Sequence, residues 1–297
     1  MAHAIRSEGL TRRFGKINAV QRLDLTVREG TITAFLGPNG AGKTTTISLL
    51  LGLIQPQAGT CEVLGFPPGH PKALEQVGAM VEAPSLYDHL TGFENVEITR
   101  LMRDLPRTET DRVLKLVGLQ QDGRRPVRNY SLGMRQRLGM ALALMGHPRL
   151  LILDEPTNGL DPAGIQEIRE LIRILPQEMG CTVFLSSHIL AEIEQVAEDV
   201  VVIHRGCLRY QGPMEQLGSA GPAQVMVRVD PLPEAVRRLA AQGFQSRVEE
   251  DRLWVEAPGT DAPRIAACLV AEGLALYELA PHKVNLEARF LALLEGE

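Results

Sequence analysis

A glycine-rich segment between a strand-like and a helix-like stretch limits the possible folds of this chain more than any other feature. It reads GPNGAGKTT over residues 37 to 45, after the apolar, β-branched TITAFL and before TISLLLGLI. The spacing is that of a phosphate-binding loop, in which glycines let backbone N–H groups turn toward phosphate oxygens. The positive end of the following helix also faces the phosphates. We therefore predict an α/β nucleotide-binding fold.

Each residue of this loop has an expected contact with the nucleotide or its Mg²⁺ ion. Lys43 would reach the β- and γ-phosphates, and Thr44 would hold Mg²⁺. The remaining ATP contacts are predicted from Gly37, Pro38, Asn39, Gly40, Ala41, Gly42 and Thr45. A plain glycine-rich turn is the alternative, and the strand and helix patterns on either side disfavour it.

A second segment, LLILDEP at residues 150 to 156, places two carboxylates after a predicted buried strand. Asp154 at the strand end is expected to face the Mg²⁺ shell. Glu155 follows where it can polarise the water that attacks the γ-phosphate. Adjacent carboxylates are often only a solvated strand end, but the buried strand and the upstream phosphate loop favour catalytic roles.

A third segment, CTVFLSSH, predicts another buried strand that ends just before His188. A lone histidine is more often structural than functional. Ligands of parallel α/β sheets bind outside the carboxyl ends of the strands, which is where His188 is expected. We therefore predict a catalytic role for this side chain.

Composition excludes several other classes of protein. The chain has 297 residues, 44% of them hydrophobic, which is enough for more than one domain. Apolar runs such as LLIL and DVVVIH are far shorter than the roughly 20 residues of a membrane span. The start lacks the apolar stretch of a signal peptide, and the four cysteines show no CxxC spacing. A net charge of −5 weighs against nucleic-acid binding. We expect a cytoplasmic protein.

Together the motifs resemble the nucleotide-binding subunit of an ATP-binding-cassette transporter, from about residue 4 to 217. Phe14 in RRFG matches the aromatic that stacks on adenine in this family, and Asp161 lies in the NGLD loop. The resemblance implies a P-loop NTPase cassette with a mostly parallel sheet and an inserted helical subdomain at about 86–146. It also implies ATP and Mg²⁺ as cofactors, Glu155 as general base and His188 as the switch histidine.

The segment YSLGMRQR falls where this family carries its signature, normally Leu-Ser-Gly-Gly-Gln followed by a basic-Gln-Arg tail. Four positions match: Ser131, Gly133, Gln136 and Arg137. Three depart: Tyr130, Leu132 and Met134. The resemblance implies a homodimer in which one copy completes the ATP site of the other in trans through Ser131, Gly133, Met134 and Asp161. A serine cap and the positive end of a helix suit an anion.

Glu82 stands where the family usually has a glutamine that touches the Mg²⁺ or attacking-water region and senses the membrane partner. The segments EAP, LTGFENV and YSLGM resemble the bacitracin-resistance and lantibiotic-immunity exporters. This similarity favours export over uptake. Glu82 is expected to be a metal-shell residue or a residue of communication with the permease, with a tolerated replacement as the third possibility.

The tail differs in character from the cassette, and we place a boundary near residue 218, after which a second domain covers 219–297. Its β-α-β-β-α-β order with a final helix predicts a small α+β ferredoxin-like unit. It holds 8 Lys and Arg against 12 Asp and Glu, which argues against nucleic acid as a ligand. Dimer stabilisation, regulation and a passive cap all remain open as its role.

The sequence thus predicts a cytoplasmic ATPase, peripheral on the inner face of the membrane, that powers a separately encoded permease. A soluble cassette ATPase acting on DNA or ribosomes is the main alternative, but the chain shows neither a long coiled coil nor two cassettes. An ATP-dependent switch with negligible turnover is weakened by Glu155 and His188. The cargo is not specified by the sequence, and no nucleic-acid partner is expected.

Overall fold

The computed structural model describes residues 2–219, 224–271, 273–282 and 286–295. The chain divides into two compact units, Met1–Met214 and Glu215–Glu297. The division comes slightly before the predicted boundary near 218, at the start of a helix that covers Met214–Ser219. Residues 220–223, which follow this helix, lie outside the described residues.

The first unit contains two sheets. Its strands are β1 (His3–Phe14), β2 (Ile17–Arg28), β3 (Ile32–Leu36), β4 (Ala58–Val63), β5 (Val77–Met80), β6 (Leu150–Leu153), β7 (Thr182–Ser187), β8 (Asp199–His204) and β9 (Cys207–Pro213). Its helices are α1 (Lys43–Leu50), α2 (Pro71–Leu74), α3 (Gly92–Met102), α4 (Thr108–Leu116), α5 (Leu132–Ala143), α6 (Pro162–Met179) and α7 (Leu190–Ile193). Helix α8 (Met214–Ser219) begins at the last residue of this unit and continues into the second.

The larger sheet has six strands in the order β5-β6-β7-β3-β8-β9, and all neighbours are parallel except β8 and β9. Every residue of β3, β6 and β7 is buried. Strands buried along their whole length are typical of parallel sheets covered on both faces. The predicted α/β fold with a mostly parallel sheet is confirmed. Since β3, β6 and β7 are neighbours, the segments that follow them meet at one sheet edge.

The smaller sheet is antiparallel, in the order β2-β1-β4. It shares one apolar cluster with the phosphate-loop helix and the larger sheet, since Leu10 of β1, Ile47 of α1 and Phe35 of β3 are all fully buried there. The phosphate-loop helix therefore packs against both sheets.

The predicted inserted helical subdomain is confirmed between β5 and β6. Helix α3 begins with a capping box, because Thr91 Oγ1 accepts from Glu94 N while the Glu94 carboxylate accepts from Thr91 N. Helix α5 begins after Ser131, whose Oγ accepts a hydrogen bond from Met134 N at 3.2 Å. No helix within the described ranges is long and apolar enough to cross a bilayer.

The second unit has the predicted β-α-β-β-α-β order and final helix. Its elements are β10 (Gln224–Asp230), α9 (Leu232–Ala241), β11 (Gln245–Glu249), β12 (Arg252–Glu256), α10 (Ala262–Ala271), β13 (Ala275–His282) and α11 (Leu286–Glu295). The antiparallel sheet runs β11-β12-β10-β13, which is the strand order of a ferredoxin-like fold. Alternate residues such as Val225 and Val227 pack against Leu239 of α9 and Ile265 of α10 in one apolar cluster.

Candidate nucleotide-binding site

The phosphate loop joins the end of β3 to the start of α1, and close contacts require glycine at two of its positions, Gly37 and Gly42. Gly42 caps the helix with a φ of 107°, a backbone conformation that residues with a side chain rarely adopt. A Cβ on Gly42 would lie 2.2 Å from the Ala19 carbonyl oxygen, and one on Gly37 would lie 2.5 Å from that of Ile203. Any side chain at either position would therefore displace the loop.

Lys43 is buried at the base of this loop. Its Nζ donates to the carbonyl oxygens of Gly37 at 2.7 Å and Pro38 at 3.4 Å. The same atom lies 3.0 Å from Glu155 Oε1, close enough for an ion pair, although the geometry does not make a hydrogen bond. A buried ammonium needs such partners, and a phosphate entering the loop would compete with them.

Asp154 is buried between two hydroxyl groups. Thr44 Oγ1 donates to its Oδ2 at 2.7 Å, and Ser186 Oγ donates to its Oδ1 at 2.5 Å. Hydroxyl and carboxylate oxygens are ligands that Mg²⁺ accepts, usually with substrate phosphates and waters completing the octahedron. Across the described ranges, no group of three or more His, Cys, Asp or Glu forms a metal cluster. Thr44 and Asp154 therefore fit a magnesium ion that takes its other ligands from the nucleotide and water.

Glu155 and His188 contact each other directly. His188 Nδ1 lies 2.8 Å from Glu155 Oε2. An ionised carboxylate only accepts hydrogen bonds, so the proton of this contact belongs on Nδ1. Glu155 has a φ of 49°, which is uncommon for a non-glycine residue, and its backbone N donates to Ser186 Oγ at 2.9 Å.

One cleft of about 320 Å³ brings most of the predicted nucleotide contacts together. The predicted residues that line it are Asn39, Gly40, Gly42, Lys43, Thr44, Thr45, Glu155 and His188. Ile17, Ala19 and Asn158 complete the lining without having been predicted. Phe14 is not part of the lining. It is 46% exposed, and the Arg12 guanidinium lies 4.8 Å from its ring centroid.

A separate pocket of about 470 Å³ collects the residues predicted to act in trans. Ser131, Gly133, Met134 and Asp161 all line it. Asp161 caps α6, with its Oδ1 accepting from Gly164 N at 3.0 Å, just as Ser131 caps α5. Two helix N-termini therefore border this pocket, and each carries a partial positive charge. The pocket shares no lining residue with the nucleotide cleft.

The sequence pattern of the ABC transporter family matches residues 20–158. The bacitracin transport ATP-binding protein BcrA of Bacillus licheniformis is 46% identical, over 73% of this chain and 72% of that protein. The chain belongs to the ABC transporter family. The lantibiotic transport ATP-binding protein SrtF of Streptococcus pyogenes is 39% identical over 68% of this chain and 87% of that protein. The resemblance deduced from the motifs is confirmed.

Structural comparison agrees with this assignment. CbiO1 of Clostridium perfringens, part of the ABC transporter complex cbiONQ, superposes with a TM-score of 0.68 at 25% identity, covering 82% of this chain and 98% of that one. A domain family of unknown function matches residues 223–287 in the second unit. As an ABC transporter ATPase, the chain binds and hydrolyses ATP.

Side chains that the motifs did not indicate connect the segments around Asp154, Glu155 and His188 in the ABC cassette. Ser186 joins Asp154 to the backbone of Glu155. Thr157 Oγ1 donates to Glu192 Oε2 at 2.6 Å, and Glu192 is buried. Ser186 could have been identified from its place at the end of the strand before His188. Nothing local to Glu192 indicates a contact with a residue 35 positions away.

Glu82 is exposed at the end of β5, with a φ of 59°. Among the described residues its carboxylate has no hydrogen-bond or ion-pair partner, and it is not part of the nucleotide cleft lining. The structure therefore does not join Glu82 to Thr44 and Asp154, and its expected role stays a prediction.

Proposed function

We propose that this chain is the ATPase subunit of an exporter, in which two copies pair head to tail around two ATP molecules and drive a separate membrane permease. The separation of the two pockets carries the proposal. One holds the phosphate loop and the Glu155–His188 pair, and the other holds the helix N-termini at Ser131 and Asp161. A second copy would place those helix N-termini against the γ-phosphate, while each pocket keeps the lining residues that it has in the single chain.

In the proposed hydrolysis step, Glu155 accepts the proton of the attacking water. His188 holds Oε2, while Oε1 accepts no hydrogen bond from any described residue. In this structure the Lys43 ammonium lies beside Glu155 Oε1, and the γ-phosphate of bound ATP would attract this ammonium away from the carboxylate. That movement leaves Oε1 to accept the proton. Mg²⁺ bound at Thr44 and Asp154 would neutralise phosphate charge.

The remaining nucleotide contacts follow from the geometry of the loop. Backbone N–H groups between Gly37 and Thr45 would surround the β-phosphate, and Ile17 and Ala19 offer an apolar surface at the cleft wall. Phe14 does not belong to that surface in this structure, where the Arg12 guanidinium lies over its ring. Stacking on adenine by Phe14 is therefore part of the proposal for the ATP-bound state.

The cargo proposed is a peptide antibiotic or a similar drug, because two relatives are named for bacitracin and lantibiotic transport. The ATPase would act at the inner face of the cell membrane through its permease. A soluble role on DNA or ribosomes is not favoured, since these relatives are transport proteins.

Drug susceptibility of cells tests this function. A susceptible bacterium should express the chain together with the permease subunit proposed as its partner, and growth is then measured against bacitracin and lantibiotics. We expect resistance that disappears with the matched Glu155→Gln variant at equal expression. Equal susceptibility with wild type, Glu155→Gln and empty vector would contradict export of these compounds.

A further inference from the structure

Tyr130, which stands directly before the signature serine, is an internal residue of the helical subdomain. Only 6% of its surface is exposed, and its hydroxyl donates to the Asp122 carbonyl oxygen at 2.8 Å. Burial raises the pKa of Tyr130, so the phenol stays protonated and remains a donor. Ser131 itself is exposed, which means that its direction depends on how the chain before it is anchored.

The phenol occupies space that Gly92 leaves open. A Cβ on Gly92 would lie 2.2 Å from Tyr130 Oη and 3.1 Å from Cζ. Gly92 does not have a positive φ, so its backbone conformation does not demand glycine. Glycine also lowers the stability of a helix relative to alanine. The contact with Tyr130 is thus the physical reason for glycine at the start of α3, and it links the LTGFENV and YSLGM segments.

Backbone hydrogen bonds reinforce the same junction. Four bonds join residues 88–93 to residues 123–128: Gly92 N to Arg125 O, Phe93 N to Gly123 O, Val127 N to Leu90 O, and Arg128 N to Asp88 O. An ion pair between Arg135 of α5 and Asp88 extends it. The start of α3 and the approach to Ser131 therefore form one connected body.

We propose that Tyr130 and Gly92 are positioning residues that aim Ser131 at the ATP held by the partner copy. This inference rests on the proposed completion of the site in trans. Neither residue lines the nucleotide cleft of its own chain, so disturbing them leaves the ATP contacts of that chain in place. The defect is expected in the partner's site only.

Gly92→Ala is the first test, measured on the full-length protein as steady-state ATPase and as binding of a fluorescent ATP analogue. We expect kcat to fall about tenfold or more, because an error of about 1 Å in a contacting group can cost 100-fold. Nucleotide binding by the monomer should stay within about twofold, since the phosphate loop is untouched. Gly123→Ala is the matched control, because its Cβ meets nothing closer than 3.3 Å.

Removing the hydroxyl should compensate for the added methyl group. In Gly92→Ala/Tyr130→Phe the nearest contact lengthens to 3.1 Å, so kcat should recover to within about threefold of Tyr130→Phe alone. Tyr130→Phe alone loses one hydrogen bond, and we expect kcat about threefold lower with unchanged KM. A double variant as slow as Gly92→Ala would overturn the proposed fit.

Mixing experiments separate positioning from other defects. Gly92→Ala mixed with Lys43→Ala should regain turnover, because the mixed dimer has one site with an intact lysine and a correctly placed serine. Ser131→Arg mixed with Lys43→Ala is the reference. Recovery of the reference without recovery of the Gly92→Ala mixture overturns the positioning role, whereas failure of the reference contradicts completion in trans itself. If Gly92→Ala does not fold, Tyr130→Phe provides the test, and an unchanged kcat in the folded Tyr130→Phe variant would overturn the inference.

Discussion

Replacing Glu155 with glutamine should separate ATP binding from hydrolysis. The amide keeps the shape of the side chain, and its oxygen can still accept from His188 Nδ1, now 2.8 Å from the carboxylate. It cannot take a proton from water. Loss of a general base lowers rates by about 100- to 10,000-fold, and we expect kcat to fall within that range.

The same change should tighten nucleotide binding. Lys43 loses its charge contact with Oε1 and keeps the carbonyls of Gly37 and Pro38. Breaking a fully buried ion pair costs about 3–5 kcal/mol. The Glu155 side chain is 20% exposed and two carbonyls remain, so the loss here is about 1 kcal/mol. Because the phosphates of ATP no longer have to displace the ion pair between Lys43 and Glu155, this difference of about 1 kcal/mol predicts about fivefold tighter ATP binding.

Phosphate release measures kcat, a fluorescent nucleotide titration measures affinity, and size exclusion with Mg-ATP measures dimers. ATP-bound dimers of Glu155→Gln should accumulate. Glu194→Gln, an exposed carboxylate in the segment after His188, is the matched control and should behave as wild type. Hydrolysis by Glu155→Gln within a few-fold of wild type would refute the assignment of Glu155 as base.

Two further variants test connections outside the cleft. Glu82→Gln should leave the ATPase of the isolated subunit within a few-fold of wild type and weaken cargo-stimulated ATPase of the assembled transporter. Equal cargo stimulation in variant and wild type would contradict communication with the permease, and collapse of the isolated ATPase would make Glu82 a metal-shell or catalytic residue. Glu192→Ala removes the hydrogen-bond acceptor of Thr157 and should lower the free energy of unfolding by about 1–3 kcal/mol in urea denaturation. Its kcat should fall below that of Glu192→Gln, whose amide oxygen still accepts from Thr157, and equal kcat in the two variants would contradict a role in holding the loop after Glu155.

Local patterns predicted the elements that carry the chemistry because those elements are encoded by contiguous residues. The fully buried β6 and the glycine loop before Lys43 are examples. The ferredoxin-like order of the second unit also follows from strands and helices that alternate clearly along the chain.

Contacts between distant residues were not predictable in this way. The Thr157–Glu192 bond and the fit of Tyr130 against Gly92 join segments whose spacing in sequence carries no pattern. Phe14 shows the opposite case: its family position was recognised, yet its ring lies outside the cleft lining and against the Arg12 guanidinium. Local sequence specifies the strand on which Phe14 lies but not its side-chain neighbours.

Completion of each ATP site by a second copy is tested most directly by mixing two inactive variants. Lys43→Ala and Ser131→Arg should each lack turnover as homodimers. Random exchange makes about half of the dimers mixed, each with one complete site, so about a quarter of wild-type ATPase should return if sites act independently. No recovery, with subunit exchange shown by fluorescence energy transfer between labelled copies, would contradict head-to-tail pairing around ATP.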